Sequence, residues 1–320
     1  MKTVGVLMGG PSSEHDISLM SGTNVMRALE GTFNVVPIFV SLTGEWFLGK
    51  NRVHTTPHQA VAQLDAVFNA MHGEYGEDGQ VQTVLSHSRV PYTGPSAITA
   101  ALAMDKVRSA ELLRKAGLTV PNFFVATVAS LEENIKEITR LKFAPPWMVK
   151  PARRGSSVGT HLVHTGPELK PALADALQFD EEAIIQEWIQ GRELTVGVVS
   201  DMRGEEAFAL PPVEIIPPKE QGYFAYSTKY DGSSTQICPA DFHDAMLARI
   251  RETAVAAHNA IGAPQYSRVD MILKGTKLSV LEVNTLPGLT KVSLLPKAAA
   301  AAGVAFPELL QHIIGKTIQS

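Results

Sequence analysis

The N-terminal part of the chain alternates between short apolar runs and a segment with helical spacing. Thr3–Met8, Val35–Val40 and Ala66–Ala70 are nearly all apolar and predict buried strands, whereas Ser18–Leu29 carries apolar residues at helical spacing. Strands that are apolar throughout are buried on both faces, which is typical of a parallel sheet covered by helices. We therefore predict an α/β fold whose first unit, residues 1–95, ends at a Gly-Pro turn signal.

The remainder of the chain divides into two further predicted units. Residues 96–186 begin with the helical stretch Ser96–Ala116, either one helix or two, followed by strand-like runs and a loop of small residues. Residues 187–320 open with a β-rich run and contain a long helical pattern. Within them, residues 219–235 show no apolar periodicity, and such a stretch in a compact domain is usually functional or disordered. We predict a lid loop there.

Charge and cysteine content exclude several classes of protein. The chain has 320 residues, with 28 Lys+Arg against 32 Asp+Glu and a net charge of −4. This balance gives no global attraction to nucleic acid or to an anionic membrane. The single cysteine, Cys238, excludes an intrachain disulfide and a Cys-rich zinc site and fits a reducing compartment. Because no run of about 18 apolar residues and no signal-peptide core is present, we expect no membrane span and a cytoplasmic location.

Two strand-like runs near the C-terminus carry oxygen-bearing side chains. Glu282 and Asn284 share one face of the later run, because side chains alternate along a strand. Asp270 stands in the earlier run, two residues after Arg268. Mg²⁺ prefers oxygen ligands and usually also binds substrate phosphates. We predict that Asp270, Glu282 and Asn284 line one metal site on two neighbouring strands; the alternative is that these acids are only solvated at strand ends.

A loop of small residues, Gly155–Gly159, follows the strand-like run that ends in Lys150. Small residues let backbone N–H groups approach a phosphate closely and a lysine supplies charge, so this loop is a candidate phosphate cradle. The Walker pattern is absent, because no Gly-Lys-Ser/Thr follows. A plain hairpin turn is the alternative.

Two loops follow predicted strands of the first unit, and loops at the carboxyl ends of parallel strands are where α/β sheets bind ligands. Glu14 in the first loop is a candidate ligand or an ordinary acid near a helix start. His72 in the second binds substrate or only caps a strand. Lys229 and Tyr230 in the predicted lid are equally open, since an exposed Lys-Tyr pair is common in loops. The three-glycine dinucleotide fingerprint is absent, which argues against a nicotinamide enzyme.

Eight segments together resemble D-alanine–D-alanine ligases of the ATP-grasp superfamily. Each segment alone is weak evidence for a family. Together they occur in one order over nearly the whole chain, and that combination is very specific. The segments are Gly9–Ser18, His72–Gly79, Pro91–Gly94, Met104–Lys106, Lys150–Gly159, Lys229-Tyr230, Arg268–Asp270 and Glu282–Gly288.

The resemblance implies an ATP-grasp fold with ATP held between two α+β domains, 96–186 and 187–320, behind an N-terminal α/β domain, 1–95. It implies ATP-dependent ligation of two D-alanines to D-alanyl-D-alanine, through a D-alanyl phosphate, for peptidoglycan synthesis. ADP and phosphate are the other products. The implied cofactors are two Mg²⁺ ions, with Mn²⁺ as a substitute, and the expected assembly is a homodimer.

The resemblance also implies a role for each site residue. The residues expected at ATP are Lys106, Lys150, Ser157, Gln186, Glu187, Trp188, Ile189, Glu193 and Lys229. The expected metal ligands are Asp270, Glu282 and Asn284. The expected substrate and catalytic residues are Glu14, His72, Ser156, Tyr230, Arg268, Gly288, Ser293 and Leu294. Among these, Glu14, Ser156 and Tyr230 correspond to a hydrogen-bonded triad that closes the lid, and Arg268 with the Gly288 N–H to an oxyanion-stabilising pair.

Some positions depart from the family pattern or bear on substrate choice. Gln186 stands where an acidic residue is frequent, Arg154 where a glutamate is frequent, and Lys291-Val292 replaces a pair that usually contains histidine. Tyr230 predicts a dipeptide product, because relatives that make D-alanyl-D-lactate lack this tyrosine. Two other functions stay open: an ATP-grasp ligase for a different acid and amine, and a sensor that binds ATP without turnover.

Overall fold

The computed structural model describes residues 1–128, 143–218 and 234–319. Its strands form three sheets that follow one another along the chain. The predicted lid residues Lys229 and Tyr230 lie outside the described residues. The fold is α/β with parallel and antiparallel sheets, as predicted, and the two boundaries between the three domains stay predictions.

The first sheet is built from the N-terminal apolar runs. Its strands are β1 (Thr3–Gly9), β2 (Asn34–Val40), β3 (Trp46–Leu48), β4 (Val53–Thr55) and β5 (Ala66–Asn69), in the order β4-β3-β2-β1-β5. β1 pairs in parallel with β2 and β5, which confirms the parallel core of the sheet. β3 and β4 extend one edge in antiparallel fashion. The sequence does not predict these two strands, because three residues are too few to show a period.

Three helices accompany this sheet: α1 (His15–Leu29), α2 (Pro57–Val61) and α3 (Gln80–His87). α1 lies tightly against β1, since a Cβ at Gly22 would come within 2.7 Å of Met8 Cβ. Ser18 of α1 is fully buried, accepts a hydrogen bond from Gly9 N at 2.8 Å and donates one to Ala70 O at 2.9 Å. This serine therefore fastens together the carboxyl ends of β1 and β5, from which the two candidate ligand loops leave.

The second sheet is antiparallel throughout. Its strands are β6 (Phe123–Thr127), β7 (Trp147–Pro151), β8 (His161–Val163) and β9 (Glu182–Glu187), in the order β6-β9-β7-β8. Helix α4 (Ala97–Met104) and helix α5 (Lys106–Lys115) precede the sheet, and α6 (Gly166–Phe179) packs against it.

The predicted helical stretch from Ser96 is divided in two by an internal cap. Ser96 accepts a hydrogen bond from Thr99 N and caps α4, as predicted. Asp105 then leaves the helical backbone and accepts hydrogen bonds from Val107 N and Arg108 N, which caps α5. Asp105 can do this because a short acidic side chain satisfies the first free N–H groups of a helix.

The third sheet is antiparallel and carries the candidate metal strands. Its strands are β10 (Arg192–Met202), β11 (Glu205–Ala209), β12 (Val213–Ile216), β13 (Thr235–Ile237), β14 (Tyr266–Lys274) and β15 (Lys277–Asn284). Their order is β13-β12-β10-β14-β15, with β11 also on β10. In the β14–β15 pair, Asp270 lies directly opposite Glu282 and Arg268 opposite Asn284. The prediction of two neighbouring strands at this place is confirmed.

Helices of the C-terminal part complete the fold: α7 (Asp244–Ile261), α8 (Leu294–Ala301) and α9 (Phe306–Gln319). One buried apolar cluster includes Val4 and Met8 of β1 together with Leu309 and Ile313 of α9. The two ends of the chain therefore share a core. Within the described ranges no single helix is long and apolar enough to cross a bilayer, and α8 and α9, bent by 105°, reach that threshold only as a pair.

A buried histidine in α7 gives the fold a predicted acid sensitivity. His258 is 2% exposed, with Nδ1 2.8 Å from Ser267 Oγ and Nε2 3.2 Å from Ser200 Oγ. Burial lowers the pKa of this imidazole from 6.5 to about 4. Between those pH values the unfolded chain binds the extra proton and the folded chain does not, so stability rises with pH. The stability that the neutral His258 side chain gives the fold is fully present above pH 6.5 and is lost as the pH falls toward 4.

We expect His258→Gln to remove this pH dependence. The wild type should lose about 2–3 kcal/mol more unfolding free energy than the variant between pH 7 and pH 4.5. Urea unfolding of both proteins at the two pH values measures these losses. Subtracting the loss of the variant from that of the wild type cancels the contributions of the titratable groups that both proteins share. Equal losses in the two proteins would show that His258 is not held neutral in the fold.

Candidate active site

One cleft is lined by strands of the second and third sheets and by loops that follow strands of the first sheet. Lys150 reaches it from β7, Glu193 from β10 and Arg268 from β14. The predicted site residues that line this cleft are Glu14, His72, Lys106, Lys150, Ser156, Ser157, Trp188, Glu193, Arg268, Asp270, Glu282, Asn284 and Gly288. Residues far apart in the sequence are thus brought to a single place.

The remaining predicted residues of the described chain are not among those that line the cleft: Gln186, Glu187, Ile189, Ser293 and Leu294. Gln186 is 5% exposed and lies opposite Met148, a cleft residue, so its side chain is on the cleft side of the sheet. Glu187 follows it on the opposite face, where its Oε2 accepts a hydrogen bond from Asn122 Nδ2 at 2.7 Å. Ile189 and Leu294 are buried apolar side chains.

Asp270 is the centre of the polar network on β14 and β15. Its Oδ1 accepts from Arg268 Nε at 2.9 Å and from Thr195 Oγ1 at 2.5 Å. Its Oδ2 accepts from Arg268 Nη2 at 2.8 Å and from Asn284 Nδ2 at 3.1 Å. The two-pronged Arg268 contact is the geometry that a guanidinium and a carboxylate favour, so the strand presents both groups in a fixed orientation.

The donor set of this network suits a hard divalent cation. Asp270 and Glu282 are cross-strand neighbours, and such side chains start only about 5 Å apart at Cβ. Among the described residues no group of three or more His, Cys, Asp or Glu side chains is placed to hold a metal. The third ligand here would therefore be the amide oxygen of Asn284, and an all-oxygen set is what Mg²⁺ or Mn²⁺ prefers.

The loop of small residues is both a hairpin connection and part of the cleft wall. It joins the antiparallel strands β7 and β8, and three of its members line the cleft: Gly155, Ser156 and Ser157. Ser156 and Ser157 have φ values of 52° and 58°, in the left-handed region that costs energy for residues other than glycine. Such backbone strain is typical of ligand-binding loops. Lys106 Nζ donates to the backbone carbonyl of Arg154 and so meets the start of this loop.

Arg154 connects this loop to the first unit. Its Nη1 lies 3.4 Å from Glu74 Oε1, and its Nε donates to Phe179 O at 2.8 Å. Glu74 also accepts a hydrogen bond from Ser12 Oγ at 3.1 Å. Arg154, which we expect to depart from the family pattern, therefore forms an ion pair between the small-residue loop and the loop after β5.

The loops of the first sheet contribute two acids to the cleft, the buried Glu14 and the partly buried Glu77. Glu14 is 9% exposed, and a Cβ at Gly155 would lie 3.7 Å from its Oε2, so Glu14 meets the small-residue loop. Glu77 also lines the cleft, and its Oε1 accepts from Gly73 N at 2.9 Å and lies 3.7 Å from His72 Nδ1. Burial raises the pKa of the Glu77 carboxyl above its usual range, and the His72 contact offsets part of that rise.

Sequence reasoning does not single out Glu77 as a site residue. It lies inside the His72–Gly79 segment, but one acid in a run of Glu, Asp and Gly has no period that would mark it. Its position on the second loop at a strand end is the signal that could have found it.

Comparisons with known proteins point to one family along the whole length of the chain. A sequence model of the D-ala D-ala ligase N-terminus matches residues 3–60 and 50–95, and one of the D-ala D-ala ligase C-terminus matches residues 112–315. The chain is 36% identical to a D-alanine–D-alanine ligase of Pseudoalteromonas translucida over 318 residues, 98% of this chain and 97% of that protein.

Solved structures of similar proteins share the whole fold. The VanG D-Ala:D-Ser ligase of Enterococcus faecalis superposes with a TM-score of 0.88 at 30% identity, covering 99% of both chains. A Bacillus anthracis D-alanine–D-alanine ligase in complex with ATP gives a TM-score of 0.82 at 29% identity, covering 100% of this chain and 98% of that one. Family models that match most of the chain and full-length relatives therefore agree on one family: this chain belongs to the D-alanine–D-alanine ligase family of ATP-dependent ligases.

Proposed function

We propose that this enzyme joins two D-alanine molecules to D-alanyl-D-alanine with consumption of ATP, as part of peptidoglycan precursor synthesis. The observation that carries the proposal is the single cleft in which an acid for an ammonium group, a loop for phosphates and an arginine–carboxylate network converge. Glu14, Ser156 and Arg268 represent these three parts. Family membership selects D-alanine among the acids and amines that such a cleft could take.

The first half-reaction makes the carboxylate of one D-alanine a good acyl donor. That carboxylate attacks the γ-phosphorus of ATP, ADP leaves, and a D-alanyl phosphate forms. Phosphoryl transfer needs positioning and charge neutralisation more than covalent help from the protein. Lys106 and Lys150, with the backbone of the Ser156-Ser157 loop, supply positive charge and N–H donors to the phosphates. Glu193 and the segment around Trp188 hold the nucleoside part.

Asp270, Glu282 and Asn284 would hold the divalent metal, which we propose to be two Mg²⁺ ions with Mn²⁺ as a substitute. When bound, the metal neutralises phosphate charge and orients the phosphate oxygens. Arg268 lies beside these residues, because its guanidinium contacts Asp270 and lines the same cleft. Lys229, in the predicted lid, is proposed to contact the γ-phosphate.

The second half-reaction forms the peptide bond. The amine of the second D-alanine attacks the acyl phosphate carbonyl and a tetrahedral oxyanion forms. The carbonyl then returns as the C–O bond to phosphate breaks, and the nitrogen gives up its extra proton to the departing phosphate. We assign stabilisation of that oxyanion to Arg268 and the Gly288 N–H. Glu14 and His72 belong to the first D-alanine site, and Ser293 and the adjacent Leu294 backbone to the carboxylate of the second. Tyr230 completes the lid triad with Glu14 and Ser156, and closure excludes water from the acyl phosphate.

We further propose that the enzyme acts as a homodimer in the cytoplasm. Closed two-fold assemblies are the commonest among soluble oligomers. The one cysteine fits a reducing compartment. Sedimentation at several protein concentrations tests the dimer.

The proposed reaction is tested by product analysis. Purified protein is given ATP and Mg²⁺ with D-alanine, L-alanine, D-lactate, or D-alanine with D-serine, and ADP and ligation products are measured by mass. D-alanyl-D-alanine formed with D-alanine, and little depsipeptide at neutral pH, is the expected result. A preference for D-serine as second substrate would instead place the enzyme beside the VanG ligase in specificity. ATP binding without turnover would favour the sensor.

Gly288 gives a prediction about the oxyanion site. A Cβ at this position would lie 2.9 Å from Ser293 Oγ, a hydroxyl that is held by Thr290 N at 3.0 Å. We expect Gly288→Ala to lower kcat about tenfold, because both the proposed N–H donor and the proposed carboxylate ligand must shift. Steady-state kinetics should show a raised KM for the second D-alanine and an unchanged KM for ATP. A change in the KM for ATP alone would contradict these assignments.

A further inference from the structure

A buried chain of hydrogen bonds connects helix α1 to the segment Leu286–Leu289. Leu289 N donates to Ser21 Oγ at 3.3 Å, and Ser21 Oγ lies 2.8 Å from His72 Nε2. His72 Nδ1 in turn lies 3.2 Å from Leu286 O. Ser21 is fully buried and His72 is 4% exposed. The chain of bonds thus begins and ends on the segment that contains the cleft residues Pro287 and Gly288.

If the His72 imidazole is neutral, only one assignment of donors and acceptors fits this series of hydrogen bonds. The Leu286 carbonyl can only accept, so His72 Nδ1 carries the proton and Nε2 accepts. Ser21 then donates its hydroxyl proton to Nε2, and its oxygen lone pair receives the Leu289 N–H. Every member is satisfied, and a fully satisfied buried network rigidifies the elements that it connects.

Further contacts from α1 reach the same segment. Asn24, one turn after Ser21, has its Nδ2 3.4 Å from Leu289 O, so both backbone groups of Leu289 meet side chains of α1. The Leu289 side chain is 1% exposed and packs in the cluster that also contains Met8. Because Gly22 lets α1 lie close against β1, the helix is a rigid support for these contacts.

We propose that Ser21 is a positioning residue that, through His72, sets the Gly288 N–H for the second half-reaction. This inference rests on the proposed function, since it assigns no new substrate. Ser21 holds one end of the Leu286–Leu289 segment directly and the other end through His72. Its loss leaves the Leu289 N–H and His72 Nε2 without a partner, and the segment gains freedom at both ends.

The two half-reactions should respond differently to that freedom. D-alanyl phosphate formation depends on the phosphate loop and the lysines, which Ser21 does not touch, and on the first D-alanine site, which Ser21 reaches only through His72 and which saturating D-alanine keeps filled. Peptide-bond formation depends on oxyanion stabilisation. When peptide-bond formation is slow, the D-alanyl phosphate is hydrolysed instead. Water attacks its carbonyl carbon or its phosphorus, and free D-alanine and phosphate result. ADP is then released without dipeptide.

The test is the amount of D-alanyl-D-alanine formed per ADP released by Ser21→Ala at saturating D-alanine. We expect the rate of dipeptide formation to fall about tenfold and the dipeptide-to-ADP ratio to fall severalfold, with the KM for ATP unchanged. Ser18→Ala is the matched control. Ser18 is equally buried on the same helix and also makes two hydrogen bonds, but these hold the carboxyl ends of β1 and β5 and do not reach the Leu286–Leu289 segment. Its dipeptide-to-ADP ratio should stay at the wild-type value.

Two outcomes would overturn the assignment of Ser21. One is a Ser21→Ala enzyme that loses ADP and dipeptide in equal proportion, as Ser18→Ala does, which means a structural role only. The other is unchanged kinetics. If Ser21→Ala does not fold, Ser21→Cys, with a side chain of similar size and a weaker donor, is measured instead, and the same ratio decides. A wild type that makes no dipeptide from D-alanine would instead reject the proposed function, so the two failures are distinguishable.

Discussion

Glu282→Gln is expected to lower turnover about a thousandfold or more while leaving the fold intact. The amide keeps the shape of the side chain but removes one of the two carboxylates that face each other on β14 and β15. A bound metal supplies several kcal/mol of charge stabilisation in phosphoryl transfer, and about 1.4 kcal/mol corresponds to a factor of ten in rate. The measurement is kcat over a Mg²⁺ titration.

Thermal unfolding separates this loss from misfolding. Like charges opposite each other on adjacent strands destabilise by a few tenths of a kcal/mol, up to about 1 kcal/mol. Without metal, Glu282→Gln should therefore melt at or slightly above the wild-type temperature, and the rise in Tm caused by Mg²⁺ and ADP should be much smaller. Near-normal activity at saturating Mg²⁺ would reject Glu282 as a metal ligand.

Glu214→Gln is the matched control for that variant. Glu214 is 7% exposed on β12 of the same sheet, where both its oxygens accept from Arg192 at 2.6 Å. Its replacement also turns a paired carboxylate into an amide, but outside the active-site cleft. We expect lower stability with kcat within a few-fold of the wild type.

Arg268→Met is expected to lower the rate of dipeptide formation about 100–1000-fold. That is the usual loss when one oxyanion donor is removed, and methionine fills space without donating. The dipeptide-to-ADP ratio should fall as well, because acyl phosphate formation needs the oxyanion donors less than peptide-bond formation does. Chromatographic quantification of both products measures this. A variant that keeps the ratio would show that Arg268 serves only to orient Asp270.

The loss of the Arg268–Asp270 contact must be distinguished from the loss of the oxyanion donor. Mg²⁺ affinity, measured separately by calorimetry with ADP present, reports on Asp270. Arg203→Met is a matched control, because Arg203 stands at an exposed turn of the same sheet and donates to Ala302 O at 2.6 Å. That variant should keep both kcat and the product ratio.

Much of the local structure follows from periodicity and capping chemistry. The strand Trp147–Pro151 and the parallel core of the first sheet are recognisable because their side chains are apolar at strand length. Ser96 is recognisable as a cap because a hydroxyl before an apolar helical run satisfies a free N–H group. The edge strands β3 and β4 are not, since pairing with a neighbour, rather than their own pattern, makes them strands.

Alternation along a strand also predicts much of the candidate site. Glu282 and Asn284 share a face by period two, and Asp270 stands at the matching place in the neighbouring run. The structure places Asp270 opposite Glu282, so the local patterns and the sheet agree. The order of the eight segments indicates the family and its reaction, because several weak sequence motifs in one order identify a family better than any single motif does.

Tertiary structure alone decides which residues support that site. Ser21, His72 and Leu289 are joined across separations of 51 and 268 residues, and Arg154 meets Glu74 across 80. No periodic pattern in the sequence marks such contacts. They depend on how α1 packs on β1 and on how α8 and α9 pack into the core that includes β1. The amino-acid pattern by itself determined the elements, the metal strands and the family. Only the packing of the sheets and helices determined that Glu77 lines the cleft, that Glu187 lies on the opposite face, and that Ser21 of α1 is bonded to both His72 and Leu289.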